Sequence, residues 1–320
     1  MKKKILFCLA MIACLFIASC GNDEENAPAE KKKAIVTYLK NSTIDYWKQI
    51  ESAINSECEA MNFKSIVYYV DDDSDIDGQY KAVSGIAKLQ ETYDIKGVII
   101  APIYTEGNHK VEESLADFIS GTKIPVVIID SPVDEKNNPL KNYIKAYVGT
   151  DNKTAGKSLA EAINVEASTV FAARIKNSTP TTARYEGFCE GIGTSIPIWE
   201  TLNDNETPAA MTEKLADYAN AQNLVFFNGG LCVSVLDACK GKNVYSFDAY
   251  KPLVQDMISE NGCVKGIITQ NTFLMGQKAA FAVIDNATSG NIFVPTIYVT
   301  RETVRSNEFR PFINYFGMSI

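Results

Sequence analysis

Short runs of consecutive apolar residues recur along this 320-residue chain, and they narrow its possible folds more than any other feature. The runs at 98–101 (VIIA) and 126–129 (VVII) contain no polar residue, so strands formed there must be covered on both faces. Sheets of that kind are parallel and carry helices on both sides. Amphipathic segments of helical length stand between the runs, at 46–61, 78–93 and 110–120. The sequence therefore predicts repeated βαβ units.

The alternation of strand and helix occurs twice along the chain. The first series of predicted strands lies at 34–39, 65–70, 97–101 and 125–130. A predicted helix at 152–163 precedes a second series, at 169–173, 224–228, 244–248 and 266–269. The roughly 287 residues after Lys33 exceed the usual size of a single hydrophobic core. We therefore expect an α/β protein of two doubly wound parallel-sheet lobes.

The first residues have the pattern of an export signal. Three lysines at 2–4 precede an apolar run at 5–17 that is too short to span a bilayer comfortably. The run ends in 17–21 (IASCG), which resembles the lipobox of bacterial lipoproteins. That resemblance implies a lipoprotein signal peptide at 1–19 and a lipidated Cys20 that anchors the protein to the membrane. An ordinary secretory signal with an incidental cysteine is the alternative.

The residues after the signal favour an exported, water-exposed protein. The segment 20–33 is polar and has no apolar period, which predicts a disordered tether between the lipid and the folded part. We expect the protein at the cell envelope, on its periplasmic or surface face. The chain has a net charge of −8, and residues 1–19 hold three lysines and no acid, so the remainder would carry −11. This charge argues against nucleic acid as a partner.

The cysteines and the single histidine argue against a metal site or a bound cofactor. Five cysteines follow Cys20, and none of them forms a CxxC pair: Cys58, Cys189, Cys232, Cys239 and Cys263. His109 is the only histidine, so a histidine-rich metal site cannot form. We predict that the protein binds no metal and no cofactor and that most of its thiols are buried. Whether one disulfide forms stays open.

Polar and aromatic residues gather where the predicted strands end. They are Tyr46, Trp47, Asp130, Arg184, Asn228, Asp248 and Gln270. In open parallel sheets, ligands bind beyond the carboxyl ends of the strands. Two such lobes facing each other would line one cleft with these side chains.

Five further motifs follow one another along the chain: 124–130 (IPVVIID), 148–152 (VGTDN) with Gly156, 184–188 (RYEGF), 244–248 (VYSFD), and 269–270 (TQ) with 275–276 (MG). In this order they resemble the periplasmic sugar-binding proteins of the ribose- and galactose-binding type. The fold that this resemblance implies is that of the type I periplasmic binding proteins, which is shared with the sensor domains of lactose-repressor-like regulators. It joins two lobes through a hinge of three crossings, here near Thr150, Gln270 and Pro295. The implied lobes are 34–149 with 271–296, and 150–270 with 297–320.

The resemblance also implies a role for each residue at the strand ends. Tyr46 and Trp47 match the aromatic pair that packs on the sugar ring. The hydrogen-bonding set of the family is matched by Asp130, Arg184, Asn228, Asp248 and Gln270. Ile44 stands where the family has an asparagine, and Ser131 where it has an arginine, so the identity of the sugar stays open.

We therefore expect the protein to capture a small polar ligand, a monosaccharide or short glycan, without chemistry on it. The lobes would close on the ligand, and an ABC permease or a membrane sensor kinase would recognise the closed form. Two alternatives remain. One is a carbohydrate-active enzyme that uses Asp130 and Asp248 as acid and base. The other is a receptor for a signal molecule that is not a sugar.

Overall fold

A computed structural model describes residues 30–72, 74–103, 108–133, 138–176 and 178–320. The predicted signal peptide, Cys20 and the tether up to residue 29 lie outside the described residues. Within the described ranges, no helix combines the length and the apolar character needed to cross a membrane.

Twelve strands are found in the described part of the chain. They are β1 (Lys32–Asn41), β2 (Lys64–Val70), β3 (Tyr93–Ile100), β4 (Val126–Ile129), β5 (Ile144–Gly149), β6 (Val170–Ile175), β7 (Ile198–Thr201), β8 (Asn223–Phe226), β9 (Asn243–Phe247), β10 (Val264–Gln270), β11 (Gly290–Phe293) and β12 (Thr296–Val299). All eight strands predicted from the sequence are present. The strands β5, β7, β11 and β12 were not predicted.

Helices connect most of these strands. They are α1 (Asp45–Ala60), α2 (Ile76–Ser84), α3 (Ile86–Leu89), α4 (Lys110–Thr122), α5 (Asn152–Ile163), α6 (Thr179–Ile192), α7 (Pro208–Asp217), α8 (Gly229–Val235), α9 (Lys251–Ile258), α10 (Thr272–Ile284) and α11 (Arg310–Tyr315). Single 3-10 turns lie at Ala167–Thr169 and Leu236–Cys239.

The strands form two six-stranded sheets with the same internal order. The first sheet runs β11-β5-β4-β3-β1-β2, and the second runs β12-β10-β9-β8-β6-β7. Neighbouring strands are parallel in both sheets, except that β12 is antiparallel to β10. The chain passes from one sheet to the other three times: after β5, after β10, and between β11 and β12. The predicted fold of two doubly wound lobes joined by three crossings is confirmed.

Both faces of each sheet are buried. Along β1, Ile35 and Leu39 belong to one buried cluster, while Val36 and Tyr38 belong to another on the opposite face. This alternation follows from the two-residue period of a strand, and it requires helices on both sides. The second sheet has two such clusters as well. The predicted lobe boundaries at 149, 270 and 296 stay a prediction, although the sheets divide the chain near these residues.

The five cysteines among the described residues are free thiols, and all but Cys189 are buried. Burial raises the pKa of the Cys58 and Cys263 thiols to about 11, which keeps them protonated at neutral pH.

Candidate ligand-binding site

Two aspartates end equivalent strands of the two sheets. Asp130 follows β4 and Asp248 follows β9, and each has a φ of 62°. The N–H group of Asp130 donates to the carbonyl of Val148, and that of Asp248 donates to the carbonyl of Ile268, both at 2.9 Å. Aspartate tolerates the left-handed conformation better than most residues. The backbone turns sharply there, so each carboxylate leaves its sheet at the edge where the strands end.

A close contact between α5 and α6 positions Arg184. A Cβ atom on Gly156 would lie 1.9 Å from the carbonyl oxygen of Arg184, and one on Gly187 would lie 1.9 Å from that of Lys153. Only glycine permits this approach. It brings the start of α5 beside α6, where the Arg184 Nε donates to the Asn152 Oδ1 at 2.8 Å.

The Arg184 guanidinium is buried and has several partners in the second lobe. Its Nη1 donates to the Phe227 carbonyl at 3.0 Å and lies 3.3 Å from the Asp248 Oδ2. The guanidinium carbon lies 4.5 Å from the centre of the Phe247 ring. The Arg184 side chain is 4% exposed and that of Asp248 is 14% exposed. A charge this deeply buried is tolerated only when it is paired and hydrogen-bonded, as it is here.

Tyr46, in the first turn of α1, points at both lobes. Its hydroxyl lies 2.5 Å from the Asp130 Oδ1 and 3.2 Å from the Gln270 Oε1. A phenol has one proton to donate, so it serves one of these acceptors at a time. Burial, followed by the negative charge of Asp130, raises the pKa of Tyr46 well above its usual value. Tyr46 is therefore a neutral hydrogen-bond donor throughout the physiological range.

Gln270 links the two halves of the network. It ends β10, where the chain crosses between the sheets, and its Nε2 donates to the Asp248 Oδ1 at 3.0 Å. Its Oε1 faces the Tyr46 hydroxyl. Five of the seven residues predicted from the sequence thus form one continuous chain of contacts, from Asp130 through Tyr46, Gln270 and Asp248 to Arg184.

The other two predicted residues lie outside this chain of contacts. The Asn228 Oδ1 accepts from the N–H group of Leu231 at 2.8 Å and so caps the start of α8. Trp47 is 3% exposed and packs in the core of the first lobe, with its ring edge-on to that of Tyr46. Sugar contact by either residue stays a prediction.

A cavity of about 1070 Å³ adjoins the network. Residues of both lobes line it, among them Lys40, Ser131, Tyr147 and Asn152. The Lys40 Nζ donates to the Ser131 Oγ at 2.8 Å, and that hydroxyl donates to the Asp130 Oδ2 at 2.9 Å. The Tyr147 hydroxyl donates to the Asp130 carbonyl at 2.9 Å. None of the seven predicted residues lines this cavity, but Ser131, Tyr147 and Asn152 hydrogen-bond directly to two of them, and Lys40 connects through Ser131.

The predicted site residues include none of those four, although the sequence carries a signal for three of them. Lys40 is near the end of β1, Ser131 comes two residues after β4, and Asn152 comes three residues after β5. All three therefore stand at the strand ends that the parallel-sheet rule marks as ligand-facing.

In the described residues, no group of three acidic, histidine or cysteine side chains is arranged to hold a metal ion.

Comparison with known proteins identifies the family of the chain. A family model described as a periplasmic binding protein domain matches residues 35–291. The chain belongs to the periplasmic binding protein family. Members of this family act outside the cytoplasm as binding proteins, which places this periplasmic binding protein in an extracytoplasmic compartment. No curated protein matches its sequence.

Solved structures share the fold of this periplasmic binding protein at low sequence identity. An ABC-transporter solute-binding protein from Agrobacterium vitis, with bound D-fucose, has a TM-score of 0.69 at 16% identity, covering 87% of this chain and 99% of the other. An arabinose-binding protein from Geobacillus stearothermophilus has a TM-score of 0.67 at 19% identity, covering 86% and 98%. A periplasmic ribose ABC transporter protein from Conexibacter woesei has a TM-score of 0.68 at 15% identity, covering 89% and 95%.

Proposed function

We propose that this protein is a lipid-anchored receptor that captures a sugar between its two lobes and presents it to an ABC permease. The observation that carries the proposal is the contact chain through Gln270, which joins polar side chains of both lobes at one place. A ligand held there would touch both halves at once. Such a ligand favours the closed form because only that form supplies both sets of contacts.

The chemistry of these side chains suits a hydroxylated ring. Asp130, Asp248 and Gln270 offer planar oxygens that accept hydrogen bonds from ligand hydroxyls, Arg184 offers N–H donors, and the Tyr46 oxygen offers a further acceptor. Hydrogen bonds to charged groups contribute about 1.5–3 kcal/mol each, so a few of them give useful affinity for a small polar ligand. Similar structures that contain or are named for D-fucose, arabinose and ribose support a monosaccharide.

Calorimetry after a thermal-shift screen of monosaccharides tests the proposed ligand class. A ligand that binds only the folded state raises the melting temperature, and the best ligand is then titrated into the protein. We expect Gln270→Ala to weaken its affinity by more than about tenfold, because the residue that connects the lobes is lost. Gln277→Ala, on the exposed face of α10, is the matched control and should bind normally. Equal affinities for both variants would contradict the proposed site.

Closure about the three crossings is the proposed signal to the partner. Small-angle scattering with and without the best ligand measures it as a fall in the radius of gyration. An unchanged radius at saturating ligand would exclude closure as the output and leave binding alone.

We propose binding without turnover. The support is membership of a family of binding proteins, together with the engagement of both aspartates as hydrogen-bond acceptors of neighbouring side chains. Prolonged incubation with the bound sugar or its glycosides, followed by chromatography, should return the ligand unchanged. If the protein released a product and Asp130→Asn abolished that release, the protein would be an enzyme and this proposal would be wrong.

The lipid anchor at Cys20 is proposed from the lipobox-like sequence alone. We expect the expressed protein to fractionate with membranes and to incorporate labelled fatty acid, and Cys20→Ala to abolish the labelling. Fatty-acid labelling that survives in Cys20→Ala would place the anchor elsewhere.

A further inference from the structure

Most of the charged side chains that line the cavity beside the contact network are positive, although the chain as a whole is acidic. The described lining residues include four lysines and one acid: Lys40, Lys141, Lys145, Lys153 and Asp151. The whole chain carries a net charge of −8. A cluster of opposite sign to the rest of the molecule, placed inside a cleft, raises the local concentration of anions.

Neighbouring carboxylates neutralise only part of this cluster. Lys153 pairs at 3.0 Å with Glu190, which does not line the cavity. The Lys145 Nζ donates to the Asp285 carbonyl, and the nearby Asp285 carboxylate offsets part of its charge. The Lys40 Nζ makes no direct ion pair: it donates to the Ser131 hydroxyl, which in turn donates to Asp130, and it lies 5.5 Å from the centre of the Trp47 ring. That bond uses one of its three protons, and the ammonium is held at the cavity wall.

The start of α6 adds to the positive potential. The cavity is lined by Ser178, which is the N-cap residue, and by Thr179 and Pro180, the first two residues of this 14-residue helix. The Ser178 side chain makes no capping hydrogen bond, so it does not satisfy the first N–H groups of the helix. The N-terminus of a helix attracts negative charge.

An independent observation at Thr150 also indicates a ligand. Thr150 is 4% exposed and lines the same cavity, yet its buried Oγ1 has no hydrogen-bond partner among the described residues. Buried hydroxyls are nearly always satisfied by protein, water or ligand. The residue also stands at the first crossing between the sheets, where a ligand would contact both lobes.

We infer that this cavity binds the anionic group of an acidic monosaccharide derivative, a carboxylate or a phosphate, with Lys40 as its paired cation. The inference rests on the proposed function and specifies it: the ring would be held by the network from Asp130 to Arg184, and the acid would point towards Lys40 and Thr150. The hydroxyl of Thr150 would donate to the same anion.

A matched set of ligands tests this inference by calorimetry on the purified protein: D-glucose, D-glucuronate, D-glucose 6-phosphate and inorganic phosphate, and the corresponding galactose series. At least one acidic sugar should bind more than about tenfold tighter than its neutral counterpart. The uronate and phosphate arms identify which anion is preferred. Tight binding of inorganic phosphate alone would overturn both this inference and the proposed sugar ligand.

Three variants separate a ligand contact from a structural role. Lys40→Gln should weaken the affinity for the acidic sugar by more than about tenfold and the affinity for the neutral sugar far less. Thr150→Val should weaken the acidic sugar without lowering the melting temperature, because it removes a hydroxyl that has no partner. Lys278→Gln, an exposed lysine outside the cavity, should change neither affinity.

The outcomes distinguish the two proposals. Neutral sugars that bind as well as the acidic ones, with Lys40→Gln affecting both alike, would overturn this inference and leave sugar capture standing. If no member of the set or of a wider monosaccharide panel bound, the proposed function itself would fail.

Discussion

Asp130 and Asp248 occupy the same position in the two lobes. Each follows the fourth strand of its own sheet, each has a φ of 62°, and each donates its N–H to a neighbouring strand at 2.9 Å. Tyr46 and Gln270 connect the two carboxylates, because the Tyr46 hydroxyl contacts Asp130 and the Gln270 amide contacts Asp248. The contact network thus includes equivalent positions in two copies of one topology.

The left-handed backbone at Asp130 predicts different results for two substitutions. Asparagine tolerates this conformation, so Asp130→Asn should unfold in urea close to wild type while binding ligand more weakly, since an amide oxygen accepts less strongly than a carboxylate. Asp130→Val should cost about 1–2 kcal/mol more than Asp130→Asn, because a β-branched residue is strained there. Equal stability of the two variants would mean that the backbone conformation at 130 is not constrained.

The buried pair of Arg184 and Asp248 predicts a large loss of stability when one partner is removed. Arg184→Met should lower the free energy of unfolding by about 3–5 kcal/mol, because Asp248 is left charged and unpaired. Adding Asp248→Asn to that variant should restore part of the loss. Lys240→Met breaks the exposed pair with Asp237 and should leave the urea midpoint unchanged. A double variant no more stable than Arg184→Met would argue against unpaired charge as the cause.

The sequence predicts the fold well because its clearest patterns are the continuous apolar runs of buried strands. Strands such as β3 and β4 contain runs of apolar residues that only a doubly covered parallel sheet accommodates. The strands that were missed lack that signal. In β5, Lys145 and Tyr147 interrupt the apolar run, and β7, β11 and β12 are four-residue strands at sheet edges. An edge strand has one neighbour, so its sequence is less constrained.

The sequence predicts which residues stand at the strand ends of the contact network but not how their side chains are used. The end of each strand follows from the apolar pattern, which is why Asp130, Asp248 and Gln270 were identified. The rotation of α1 about its axis decides whether Tyr46 or Trp47 faces the gap, and packing in the core sets that rotation. Asn228 precedes two glycines and a leucine at a helix start, so local capping competes with ligand contact.

The contact between α5 and α6 predicts that Gly156 is needed to position Arg184. A methyl group there would collide with the Arg184 carbonyl, so Gly156→Ala should push the helices apart and cost about 1–3 kcal/mol. It should also weaken ligand binding, because Arg184 and Asn152 move together. Gly121→Ala, in α4 with open space around it, is the control and should be neutral or more stable by about 0.5–1 kcal/mol. Chemical denaturation and calorimetry of both variants decide the matter, and similar results for the two would contradict it.

The raised pKa of Tyr46 predicts a loss of stability in alkali. An unfolded tyrosine ionises near pH 10, whereas burial and the charge of Asp130 keep the folded Tyr46 protonated above that value. Above about pH 10 the folded state therefore holds a proton that the unfolded state has lost. The contribution of Tyr46 to the free energy of unfolding is complete below about pH 10. It falls by about 1.4 kcal/mol per pH unit as the pH rises from there towards the folded pKa. Tyr46→Phe removes this contribution. Urea unfolding between about pH 8 and 11 should therefore show a shallower decline for Tyr46→Phe than for wild type, while Tyr80→Phe, an exposed position, should follow wild type. Parallel curves for Tyr46→Phe and wild type would show that the Tyr46 proton is not held by the fold.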